Sequence, residues 1–258
     1  MRRVTTILLL LWSLLATLMA QKQKEGESPV LGTIFRRVAD GQGAVTLNSY
    51  GLGDTFIIDG VNHLHRFVHY LSINYGPVAA VNRPDWVVVR PLTIEGNRGT
   101  STVQFANALE IQFDHTVLDN GKRLVDWTTD VVFKNLTAEE MFICYYPYVD
   151  YDLFGSFGDD IGVYHAIDQE LGLSVIRVQK VETEGVFLFA DASGGSLDFR
   201  MEEFPRVRDL LEGSPGCTLL GGIESPSGPN DFTAALLYVL ALPPDTPTPV
   251  RLWLGRYQ

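Results

Sequence analysis

Apolar and polar positions alternate with a period of two along much of this 258-residue chain. Leu109, Ile111 and Phe113 alternate with Glu110, Gln112 and Asp114, the pattern of a half-buried strand. Asp119-Asn120-Gly121-Lys122 comes next, and Asn-Gly tolerates the positive φ angles of a tight hairpin turn. The return strand carries Val125, Trp127, Val131 and Phe133 on one parity and Asp126, Thr128 and Asp130 on the other. Short β-rich runs over 55–58, 64–73, 86–89, 142–148, 173–178, 186–190, 197–201, 232–242 and 250–255 predict further strands. Residues 203–212 predict one short helix, with Pro205 in its first turn and Gly213 at its end. Pro243, Pro244, Pro247 and Pro249 make the connection before the last strand a rigid loop. Many strands and almost no helix predict an all-β chain: a large single-domain antiparallel β-sandwich over residues 43–258, with at most one short helix.

The first twenty residues break this pattern. Arg2 and Arg3 precede an apolar run over 7–18, and Ala20 offers a small residue for cleavage. These are the parts of a secretory signal peptide over residues 1–20. The run is shorter than the roughly 20 residues that a spanning helix needs. No later run is longer, so no transmembrane segment is expected after cleavage. Residues 21–42 are expected as a flexible N-terminal segment. The expected location is secreted or extracytoplasmic, in a periplasm or at a cell surface.

Charge narrows the partners. The formal net charge is −11, and loss of Arg2 and Arg3 takes the basic count from 20 to 18 against 31 acids, about −13. Nucleic acid is excluded as a partner, because phosphate binding needs clustered Lys and Arg. Export permits a disulfide between the two cysteines, Cys144 and Cys217, although a buried free thiol is also ordinary for Cys144 in its apolar run.

The densest chemistry lies in 145–160, which holds four carboxylates and six aromatic rings. Asp150, Asp152, Asp159 and Asp160 are hard oxygen donors of the kind calcium takes. The twelfth position of an EF-hand loop would be Ile161 rather than glutamate, so a calcium site here would be of another type; no cofactor is required. The competing reading is a turn held by Asp side chains bonded to backbone amides. Tyr146, Tyr148 and Tyr151 are candidates to stack on a sugar, against ordinary packing.

His63, His65 and His69 have even spacing, so on one continuous strand all three share a face. Imidazoles on one face can bind zinc. His63 and His69 would lie about 20 Å apart on an extended strand, so His63 and His65 would need His115 or His165 to complete a site. A cupin-like metal enzyme is one reading of this strand; packing on a sheet face is the other. No nucleophile elbow, Walker motif or Rossmann fingerprint occurs. Asn135-Leu136-Thr137 is a formal glycosylation sequon.

Three segments carry a resemblance: 59–70, beginning Asp59-Gly60-Val61-Asn62-His63-Leu64-His65; the Tyr148-Val149-Asp150-Tyr151-Asp152-Leu153 run with Asp159-Asp160; and 231–243, ending Leu242-Pro243. Together they resemble a diffuse group of exported bacterial β-sandwich proteins, many of which carry a C-terminal sorting tail. The resemblance implies export and fold, and no particular activity. The leading reading is a non-enzymatic surface or envelope interaction protein, whose partner is a cell-surface glycan or protein. The alternative is a carbohydrate-binding or carbohydrate-processing protein using 145–160.

Overall fold

The structure, a computed structural model, describes residues 31–38, 41–58, 60–119, 125–153, 160–165, 174–180, 186–222 and 231–257. In chain order the strands are β1 (Leu31–Val38), β2 (Gly41–Asn48), β3 (Gly53–Ile58), β4 (Val61–Asn62), β5 (Leu64–Ile73), β6 (Ala79–Ala80), β7 (Trp86–Glu95), β8 (Arg98–Phe105) and β9 (Leu109–Asp119). They continue as β10 (Val125–Asn135), β11 (Met141–Tyr151), β12 (Asp160–His165), β13 (Ser174–Lys180), β14 (Val186–Asp191), β15 (Asp198–Glu203), β16 (Phe232–Leu242) and β17 (Pro247–Tyr257). Among the described residues, one helix, α1 (Arg206–Gly213), lies between β15 and β16. The proposed signal peptide, the turn at 120–124 and Asp159 lie outside the described residues.

The strands form two antiparallel sheets. The nine-stranded sheet runs β1-β2-β3-β5-β11-β16-β15, with β4 beside β3 and β6 beside β5. The eight-stranded sheet runs β12-β13-β14-β17-β10-β9-β8-β7. The β9–β10 pair has the register its alternation predicts, with Phe113 opposite Val131 and Val117 opposite Trp127. The sandwich begins earlier than residue 43. β1 pairs with β2 along its whole length, from Leu31 opposite Asn48 to Val38 opposite Gly41, so residues 31–38 and 41–42 are strand rather than a flexible segment.

The main core lies between the sheets. Phe67, Tyr145, Val149, Leu236 and Tyr238 of the nine-stranded sheet belong to one buried cluster with Phe113, Trp127, Val131 and Phe189 of the other. A second cluster covers the outer face of the nine-stranded sheet. There Val68, Tyr70, Tyr146, Tyr148, Ala235 and Leu237 pack with Val207 and Leu211 of α1 and with Leu220. Each fully buried Val or Leu of this layer contributes about 1.5–3 kcal/mol. With both faces covered, β11 and β16 need apolar side chains at both parities, which explains their near-continuous apolar runs.

Cys144 of β11 is disulfide-bonded to Cys217, which ties the segment after α1 to the sheet it covers. Pro147 stands in a central strand, where a missing N–H matters. The β11–β16 ladder drops out at Tyr146 and Pro147 and resumes at Tyr148 opposite Ala235 in the same register. Among the described residues, no helix is long and apolar enough to cross a membrane.

Candidate functional site: an acidic cleft

The site begins with one extra residue. In the β5–β11 ladder Asp150 faces Arg66, and the next partner pair is Tyr151 with Leu64. His65 is therefore a bulge on β5, opposite no residue of β11. Leu64 and Phe67 both turn into the sandwich, while His65 and Arg66 are both exposed. The even spacing of His63, His65 and His69 does not place them together, because the bulge resets the parity between them. His63 is buried, with its backbone N–H donating to Phe56 O and its carbonyl accepting from the Asp152 N–H. His69 is buried inside the sandwich, and only His65 reaches solvent, with its side chain 55% exposed.

His65 lies over the end of β11. Its Nδ1 is 3.5 Å from Asp152 Oδ2. Asp150 and Asp152 share a parity with Tyr148, so they point to the outer face, where α1 ends its cover. β16 starts at the same edge of the sheet, and β15 ends there; Phe204 N–H donates to Asp231 O at 2.7 Å and closes that corner. His65, Asp150, Asp152, Phe204 and Asp231 line an open cleft of about 140 Å³. Arg208 of α1 stacks over the Phe204 ring, with its guanidinium carbon 4.7 Å from the centroid.

Three carboxylates in one cleft disturb one another. Burial raises the Asp150 carboxyl to about 7, Asp231 and Asp152 add to the rise, and Arg66 and Arg208 oppose it. Asp152 is also raised by burial, against the pull of His65. Burial and Asp152 raise Asp231, again with His65 opposing. A carboxyl that titrates near neutrality is both an acceptor and a donor for a hydroxyl-bearing ligand.

The structure places the other sequence candidates elsewhere. Asp160 is fully buried at the start of β12, where its charge acts on the Tyr151 hydroxyl. Tyr146, Tyr148 and Tyr151 are buried and offer no ring face to a sugar, because both faces of their sheet are covered. Tyr146 instead accepts from Thr218 N–H at 2.7 Å, holding down the segment after α1. His115 lies in the core, with its Nδ1 3.0 Å from Thr129 Oγ1, and the His165 side chain is outside the described residues. Asn135 spends its amide on Glu139 O and Leu242 O, so the sequon nitrogen faces inward. Among the described residues, no group of three or more His, Cys, Asp or Glu side chains has metal-holding geometry. Sequence reasoning missed Asp231 and Phe204. The first residue of 231–243 was one signal for Asp231, since the three segments that carry the resemblance meet at this cleft.

No protein-family model matches the chain, and no curated protein matches it in sequence. Solved structures match it in shape. A bacterial glucoamylase complexed with acarbose superposes with a TM-score of 0.62 at 8% identity, over 88% of this chain and 32% of the enzyme. The chain thus spans about a third of that protein's length. A GalM/aldose epimerase homologue from C. elegans gives a TM-score of 0.54 at 10% identity, over 89% of this chain and 99% of its own. An aldose-1-epimerase-type protein from Escherichia coli K12 gives 0.53 at 9% identity, over 88% and 99%. The chain therefore shares its β-sandwich fold with these structures. Identities this low carry the fold and nothing more.

Proposed function

We propose that this is an exported carbohydrate-binding or carbohydrate-processing protein that holds sugar hydroxyls in the cleft of His65, Asp150, Asp152 and Asp231. The observation that carries the reading is the Asp150 carboxyl, held near neutral pKa in an open cleft beside two further carboxyls and the Phe204 ring. Paired acceptors beside an apolar ring suit a polyhydroxylated ligand. The fold shared with proteins whose names refer to sugars supports the same class. The Cys144–Cys217 bond supports an oxidising compartment. Calorimetric titration with a panel of mono- and oligosaccharides tests the reading. Binding by the wild type that falls at least tenfold in Asp150→Asn supports it; no binding across the panel overturns it. Polarimetry on a freshly dissolved aldose separates processing from binding.

A further inference from the structure

The far end of β5 presents aromatic surface that the packing does not account for. After Ile73 the chain turns through Asn74 and Tyr75, with φ of 47° and 62°. Gly76 N–H donates to Ile73 O at 2.9 Å and closes the turn. Both central residues are left-handed, as in a type I′ turn, which favours Asn followed by Gly. Here tyrosine takes the second position, and the glycine comes one residue later. A left-handed tyrosine is strained, and burial does not repay the strain: Tyr75 is 71% exposed. Its ring stacks on Phe142, itself 40% exposed, with centroids 6.3 Å apart and planes 24° apart.

Hydrogen bonds tie the turn to β11. Asn74 N–H donates to Phe142 O at 2.7 Å, and Phe142 N–H donates to Asn74 Oδ1 at 2.9 Å. The Ser72 hydroxyl donates to Gly76 O at 2.6 Å. Gly216 packs so close behind the turn that an added Cβ would lie 2.9 Å from Tyr75 O. The next residue, Cys217, is bonded to Cys144, two positions along β11 from Phe142. Val239, opposite Cys144 on β16, extends the apolar surface and is also exposed.

We propose that Tyr75 and Phe142 form a stacking platform for the C–H face of a pyranose ring in a polysaccharide, a subsite apart from the acidic cleft. The inference rests on the carbohydrate reading above and adds a second point of contact to it. Two partly exposed aromatic rings offer roughly 200 Å². A stable interface between two copies needs about 800 Å² from each, whereas one sugar ring needs no more than the platform gives. The two subsites lie at opposite ends of β5, about 30 Å apart along the strand, and Asp150 and Phe142 share a parity on β11, so both open on the outer face of the same sheet. Between them α1 and the segment after it cover the sheet, so a ligand that reaches both crosses that layer and is a chain of sugars rather than one.

Affinity electrophoresis in gels containing soluble β-glucan, xylan or α-glucan tests the platform. Tyr75→Gly is the informative variant, because glycine is the residue this turn favours. It is expected to melt no lower than wild type and to lose about tenfold in affinity for the retained polysaccharide, while Tyr75→Trp keeps that affinity. Unchanged retention of Tyr75→Gly beside weakened Asp150→Asn overturns the platform and leaves the cleft standing. A lower melting temperature in Tyr75→Gly also overturns it, by making the ring a packing element. A wild-type dimer that Tyr75→Gly abolishes replaces it with self-association. If no polysaccharide retains the wild type, the carbohydrate reading falls and takes the platform with it.

Discussion

The Tyr145 hydroxyl and Nδ1 of His69 lie 2.7 Å apart in the middle of the sandwich. On its other side, His69 Nε2 lies 3.1 Å from the Gly51 carbonyl. A carbonyl can only accept, so Nε2 carries the proton; burial disfavours a second proton, so Nδ1 accepts from Tyr145. The imidazole is neutral and stacks between Tyr145 and Phe113.

That neutrality predicts acid lability. Burial lowers both His69 and His115 from 6.5 to about 3, with a small opposing contribution for His69 from its bond to Gly51 and a further lowering of His115 by His69. Between those values the unfolded chain binds more protons than the native state. Their stabilisation is complete above 6.5 and is lost as pH falls through about 3. Proton NMR of the imidazoles is expected to show His69 and His115 without titration shifts between pH 5 and 8. A buried ring that titrates there would refute the assignment.

Asp150 has the opposite slope. Its folded value of about 7 stands above the ordinary 3.8, so the native state binds the extra proton. This contribution favours folding at low pH and weakens as pH rises from 3.8 to about 7. Asp150→Asn is expected to raise stability at pH 8 on the order of 1–3 kcal/mol, with the gain vanishing near pH 4. Denaturant melts at the two pH values measure it. Equal stability of variant and wild type at pH 8 would show that the carboxylate is relieved by its neighbours Arg66 and Arg208.

The disulfide spans 73 residues of sequence. Chain-entropy arguments give a crosslink of that reach about 4 kcal/mol. Replacing both cysteines by serine is expected to lower stability by that order and to raise hydrogen exchange first at 214–222. Even exchange across the whole sheet would mean that this layer does not open on its own.

Strands were most legible where one face meets solvent. β9 and β10 alternate cleanly; β5 and β16, covered on both faces, were found from their apolar runs, and their ends fall where the sequence puts them. β8 escaped notice because Gly99, Thr100, Ser101 and Thr102 carry little apolar signal, although Ser101 and Thr102 are buried. β1 and β2 were obscured by glycines at positions 32, 41 and 43 and by the paired Arg36 and Arg37. At the site, Asp150 and Asp152 stood out through their local density. Asp231 and Phe204 did not, because they enter from strand ends far along the chain. The choice between packing and a sugar platform for Tyr146, Tyr148 and Tyr151 was not legible either: α1 and the segment after it cover Tyr146 and Tyr148, Tyr151 lies between the sheets, and no periodicity within β11 announces a distant cover.

The bulge at His65 sets a length rule as well as a geometry. On a regular strand, inward residues are two apart; here Leu64 and Phe67 are three apart. Losing a single codon between them would bring the strand back to plain alternation and leave one outward side chain where His65 and Arg66 now stand. The crowding of a histidine and an arginine over the Asp150–Asp152 end of β11 thus depends on one residue of strand length.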